Sequence, residues 1–128
     1  MILLDTHAWI WWASQSPKLS AAARQAIENE TKAGVAVISC WEVAMLMDKG
    51  RLKLDREVGL WVEQALALPK LEVLPLTAQI AVASVRLPAD FHSDPADRMI
   101  VATARQYNVP VVTKDERIQQ SGLVRTIW

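Results

Sequence analysis

Two runs of this chain, residues 2–4 and 35–38, are apolar from end to end, where a half-wet strand would alternate apolar with polar, and residues 71–76 and 109–113 supply two more candidates. A strand with no polar alternate needs both of its faces covered, the condition of a parallel sheet flanked by helices. Helical patterns lie between the runs. Ser20 and Asp55 are N-cap candidates for helices over 20–30 and 55–68, the second stopped by Pro69. A helix over 41–49 ends at Gly50, one over 77–87 precedes Pro88, and Asp94-Pro95 opens a helix running to residue 107. Strands alternating with helices through right-handed crossovers predict an α/β fold, a three-layer sandwich with a central parallel β-sheet. The 128 residues suffice for one such domain, spanning 1–128, and contain no repeat or low-complexity stretch.

In open sheets of this kind ligands bind beyond the carboxyl ends of the strands, so the residues after each run are the ones to inspect. Asp5 follows the first run, Glu42 lies three residues after Ser39, Asp94 and Asp97 open the penultimate helix, and Asp115 follows the last run. Asp94 and Asp97, three apart, share a helix face, and Asp97 shares its stripe with Val101 and Ala104, which should face the sheet. Glu42 has the apolar neighbours Trp41, Val43, Ala44, Met45 and Leu46, and an acid drawn in among them needs a partner. Each residue also has a plainer reading. Asp94 serves as an N-cap, Asp97 complements a helix dipole, Asp5 and Asp115 are turn residues, and Glu42 is a first-turn acid.

Carboxylates converging without matching Lys or Arg repel one another, which makes physical sense where divalent cations fill the gap; an oxygen-rich set suits Mg²⁺ or Mn²⁺. A pair of such ions ~3.5–4 Å apart serves in-line displacement at phosphorus, so the expected reaction class is phosphodiester hydrolysis. Lys and Arg together number fourteen against fourteen Asp and Glu, so no general basic surface supports nucleic-acid binding, and any such role rests on local placement.

The segments Leu3-Leu4-Asp5-Thr6-His7, Ile38-Ser39-Cys40-Trp41-Glu42, Asp94-Pro95-Ala96-Asp97-Arg98 with residues 100–104, and Val112-Thr113-Lys114-Asp115 resemble PIN domains, most of all VapC-type toxins of type II toxin–antitoxin systems. The resemblance spans nearly the whole chain in order. It implies an RNA-cleaving endonuclease using Mg²⁺ or Mn²⁺, with Asp5, Glu42 and Asp97 as principal catalytic and metal-binding acids, Asp115 as a more variable fourth, and Asp94 as a secondary metal ligand. It also implies that Thr6, Ser39 and Thr113 orient the acids, a water or substrate, with turn and strand-end roles as the alternative. Arg98 and Lys114, beside the acids, are candidates for holding an RNA backbone. So is Arg117, and the Lys49, Arg51 and Lys53 cluster reads as either an RNA contact or solvated surface.

His7 and His92 lack any ligand-spaced partner, and contact with substrate, phosphate or a partner protein is the open reading for them. The lone Cys40 forms no internal disulfide and excludes zinc clusters, which favours a reducing compartment. The N-terminal residues show no basic leader or apolar signal segment, and no run reaches the ~18–20 apolar residues of a membrane span, so a cytoplasmic location is expected. Apolar residues reach 52%, with six Trp. Such content predicts apolar surface left for other chains, a homodimer and a small antitoxin covering Trp9, Trp11, Trp12 and the helix over 41–47. The alternatives are a receiver-like signalling module and a non-catalytic RNA-binding module. A receiver, however, wants paired acids after the first strand and a phosphoacceptor Asp after the third, where this chain has Asp5 alone and Leu76-Thr77-Ala78.

Overall fold

Ile2–Leu4 forms β1 at the middle of the sheet, and its alternate side chains enter two separate cores. Ile2 and Leu4 join Ala33, Val35 and Val112 on one face, while Leu3 joins Ala36, Leu74 and Val111 on the other. The continuous apolar run thus supplies both faces at once, as a doubly covered parallel strand must. The computed structural model describes residues 1–128.

Along the chain follow α1 (Thr6–Ala13), α2 (Ala21–Asn29), β2 (Ala33–Ala36), α3 (Val37–Asp48), α4 (Val58–Leu66), β3 (Leu71–Leu74), α5 (Ala78–Val85), α6 (Pro95–Tyr107), β4 (Val111–Val112), α7 (Glu116–Gln120) and β5 (Thr126–Ile127). The five strands are parallel in the order β3-β2-β1-β4-β5. Helices α1, α2 and α4 cover one face through Trp9, Ile27 and Trp61, and α6 covers the other through Ile100 and Ala104. Helix α5 packs on α6, and α3 touches α1, α4 and α6 at the sheet's rim. The result is the expected three-layer sandwich. No helix is long and apolar enough to cross a membrane.

Several boundaries differ from the sequence reading. Val37 and Ile38, β-branched and read as strand, instead open α3; Val37 is part-exposed, and Ile38 packs against the α6 core. Strand β3 is an edge with Glu72 and Val73 in solvent, so only part of 71–76 is covered on both sides. Helix α4 is capped by Glu57, whose carboxylate accepts from the Gly59 amide, while Asp55 outside it pairs with Arg56. Helices α1 and α7 and strand β5 are additions to the elements read from sequence.

Trp9 is fully buried, its ring edge-on to Trp61 at 5.1 Å between centroids, so it belongs to the core and cannot form the partner surface expected of it. Trp11 and Trp12 pack at the edge of the same core, and Trp41 on α3 is more than half exposed.

Candidate active site

The strand order changes direction around β1, with β2 on one side and β4 on the other, so the crevice at the carboxyl ends of β1 and β4 is the switch point where α/β sheets bind ligands. Asp5 leaves β1 there. Its amide donates to Val112 O at 3.1 Å, and its Oδ1 accepts from the Ala8 amide at 2.9 Å, capping α1. Asp115 does the same after β4, capping α7 by accepting from the Arg117 and Ile118 amides at 2.8 and 3.3 Å. Asp94 caps α6, accepting from the Asp97 amide at 3.0 Å. The cap reading of these three acids is therefore correct and compatible with a site: a helix that starts at a strand's carboxyl end sets its N-cap side chain at the crevice.

Asp97 reaches the crevice from the first turn of α6, beside the buried Ala96 and Ile100. Glu42 comes from α3, one turn beyond Ser39, because the helix starts early at Val37. Thr6 fixes it. The Thr6 hydroxyl lies 2.5 Å from Glu42 Oε1 and 2.9 Å from Ser39 Oγ. Its single proton goes to the carboxylate, which has none to give, and the Ser39 hydroxyl then donates to Thr6. Ser39 and Thr113 are wholly buried. Thr113 Oγ1 accepts from the Asp115 amide at 3.0 Å, and the nearby Thr113 hydroxyl favours the charged form of the Asp5 carboxyl.

Asp5, Thr6, His7, Trp11, Glu42, Asp94, Asp97, Lys114, Asp115, Glu116 and Arg117 line one open cleft of about 560 Å³. All five sequence-identified acids and Lys114 meet in it. Arg98 lies elsewhere, against the expectation that it holds substrate. Its guanidinium donates to the carbonyls of Ser84, Val85, Leu87, Phe91 and His92 at 3.0–3.4 Å, pinning the segment between α5 and α6. Arg117 stands closer, with Nη2 3.0 Å from Asp115 Oδ2 and 3.9 Å from Asp97 Oδ2.

Crowding of the acids shows in their proton affinity. Burial, then repulsion from Asp94, Glu42, Asp115 and Asp5, pushes the Asp97 carboxyl up to about 8. Burial likewise lifts Asp5 to about 6, against the hydrogen bonds from Thr113 and the Ala8 amide. Asp115 moves the other way: burial raises it, but Arg117, through its side chain and amide, more than offsets that.

His92, left with an open reading by the sequence, enters the same neighbourhood from the loop before α6. Its Nε2 lies 3.3 Å from Asp97 Oδ2 but off the line of a hydrogen bond, and both ring nitrogens are buried without a partner. Burial, then the positive Arg117, lowers the proton affinity of the ring. The sequence signal was its place two residues before Asp94, on the loop that feeds the acid-bearing helix.

A family model described as PIN domain matches residues 2–122. Ribonuclease VapC22 of Mycobacterium tuberculosis is 38% identical over 129 residues, covering 99% of this chain and 98% of that protein. Among solved structures, the DNA-bound VapBC of Salmonella typhimurium superposes with a TM-score of 0.71 at 22% identity, over 98% of this chain and 95% of that one. VapBC2 of Rickettsia felis, bound to a DNA fragment from their promoter, gives 0.69 at 14% identity, over 98% and 97%. A family match over nearly the full length, with a relative this similar from end to end, establishes that the chain belongs to the PIN-domain family.

Proposed function

We propose that this protein is a metal-dependent endoribonuclease, the toxin half of a bacterial toxin–antitoxin pair, working in the cytoplasm on RNA. The observation that carries the reading is the convergence of Asp5, Glu42, Asp94, Asp97 and Asp115 on one cleft where Lys114 and Arg117 are the only cationic side chains lining it. The full-length likeness to a protein named as a ribonuclease supports RNA as substrate.

The donor set fits a hard divalent ion. Carboxylate oxygens are the ligands Mg²⁺ and Mn²⁺ prefer, and burial together with repulsion among the neighbouring acids raises the proton affinity of Asp97, so a bound cation would relieve the crowding there. Asp5, Glu42 and Asp97 are the principal metal-holding and catalytic acids, with Asp115 and Asp94 at the margin. When bound, such ions supply charge to the phosphoryl oxygens and acidify an attacking water. The chain's own residues do the rest. Thr6, backed by Ser39, holds Glu42 in one orientation, the Ala8 amide of α1 holds Asp5, and Lys114 and Arg117 present cations at the rim for the RNA phosphates. A homodimer and a small antitoxin complete the reading, with Trp11, Trp12 and Trp41 offering apolar area to them.

Purified protein incubated with a mixed RNA pool tests this. Cleavage should require Mg²⁺ or Mn²⁺, stop in EDTA, return on adding metal, and vanish in Asp5→Asn and Glu42→Gln. Cleavage that persists in EDTA, or full activity in either variant, overturns the assignment.

A further inference from the structure

His92 is the polar group around the cleft whose surroundings the nuclease reading leaves unexplained. Both ring nitrogens are sealed from solvent and neither makes a hydrogen bond. An orphaned buried polar atom costs about 1–3 kcal/mol, and in a native fold it commonly marks the place of an ion or water.

Geometry indicates which. One donor atom each from His92, Asp97 and Asp115 lie within 4.8 Å of one another, with the His92 to Asp97 separation at 3.3 Å. Donors on one ion with bonds of about 2.1 Å sit roughly 3 Å apart when adjacent and roughly 4.2 Å when opposite. The His92 and Asp97 atoms already have the spacing of adjacent ligands, and the 4.8 Å limit on all three is wider than one coordination sphere by about half an ångström, within reach of a small side-chain movement. A positive charge also belongs at this spot, since Arg117 Nη2 now takes it, 3.0 Å from Asp115 and 3.9 Å from Asp97. The Arg117 side chain is 62% exposed, so it can swing out without breaking a core contact. The histidine itself is preset. Arg98 grips the Phe91 and His92 carbonyls at 3.0 and 3.2 Å, and the Phe91 ring packs on the imidazole at 4.5 Å between centroids.

We propose that His92, Asp97 and Asp115 form a mixed nitrogen and oxygen site for a divalent transition-metal ion, sharing Asp97 with the all-oxygen Asp5 and Glu42 side of the cleft. The inference rests on the metal-dependent reading above and adds a ligand and a preference to it. An imidazole nitrogen favours Mn²⁺ and the later first-row ions over Mg²⁺, whereas carboxylates alone serve Mg²⁺ well. One side of the cleft therefore takes either ion, and the His92 side selects the transition metal.

The chain has only two histidines, which makes the test clean. Untagged His7→Gln protein, carrying His92 alone, is prepared with natural and with ¹⁵N-labelled histidine, loaded with Mn²⁺ and examined by pulsed EPR. Nitrogen coupling that changes isotope with the label is the expected result. It requires no substitution at position 92, so folding of a variant is not at issue. His92→Gln should then lower Mn²⁺ affinity by at least the ~10–100-fold seen on losing an outer-shell partner, with little change for Mg²⁺. Bound Mn²⁺ with no histidine coupling overturns the proposal and leaves the metal-dependent nuclease standing. Failure of the unsubstituted chain to bind Mn²⁺ at all overturns both.

Discussion

Asp97→Asn tests the electrostatics of the cleft most directly, because it removes the charge while keeping volume and the Asp94 cap on its amide. In the metal-free fold the Asp97 carboxyl is pushed from its ordinary 3.8 to about 8, first by burial and then by the neighbouring acids. A folded-state affinity above the unfolded one means the protonated carboxyl belongs to the native state. Its stabilisation is complete below about pH 4 and is lost as pH rises through about 8. Taken at face value, ionising Asp97 inside the fold at pH 8.5 costs about 6 kcal/mol. Its side chain is 16% exposed and the solvent-exposed Arg117 stands 3.9 Å away, so screening brings this to about 2–3 kcal/mol. For a domain of this length that is about 6–12 °C in melting temperature. Thermal melts in EDTA should therefore show Asp97→Asn and the parent equal near pH 4, with the variant gaining steadily to its full advantage above pH 8. Burial lowers the proton affinity of His92, which weakens both proteins as pH falls below about 6.5. A difference that stays flat from pH 4 to 9, or a variant less stable at pH 8.5, refutes the crowding argument.

Three further outcomes follow from particular contacts. Thr6→Val strips the hydroxyl that links Glu42 to Ser39 and should cost about 1–3 kcal/mol in urea denaturation, with a fall in RNA cleavage that Thr6→Ser largely avoids. Arg98→Lys cannot reach five carbonyls from one ammonium and should lose about 2–4 kcal/mol, with faster amide exchange between residues 84 and 92; a Lys variant as stable as the parent would remove the pinning role. Trp9→Ala should cost about 3–5 kcal/mol and Trp41→Ala within about 0.5 kcal/mol for the isolated protein, so equal losses would mean the two rings had been assigned to the wrong environments.

The parallel sandwich was legible because residues 2–4 and 111–112 lack polar alternates; Asp5, Asp94, Asp97 and Asp115 were legible because each directly follows a strand or opens a helix beside one, and Glu42 because it is an acid set among apolar neighbours. What escaped has physical causes. Val37 and Ile38 favour strand by propensity, but Ile38 gains its packing against α6 from a helical start, and packing outweighs propensity. Helix α1 is apolar on nearly every side, so it shows no 3.6-residue stripe to read. Strand β5 is two residues long, too short for any pattern. Arg98 sits one residue from Asp97 in sequence, yet successive helix positions diverge by about 100°, which sends one side chain to the cleft and the other to the α5 loop.

Three of the clustered acids also begin helices, and this has a genetic consequence. An Asp codon becomes an Asn codon by one base change, and Asn caps a helix about as well as Asp. At positions 5, 94 and 115 a single transition thus removes a negative charge while the amides of Ala8, Asp97 and Arg117 keep an acceptor. Change to Ala at the same positions would forfeit about 1 kcal/mol per helix as well. If Asp5 carries the proposed activity, lineages under pressure to silence this chain have a short path to a folded, inert product that still displays every outer surface, and a population of such silent alleles should carry Asn at position 5 far more often than Ala.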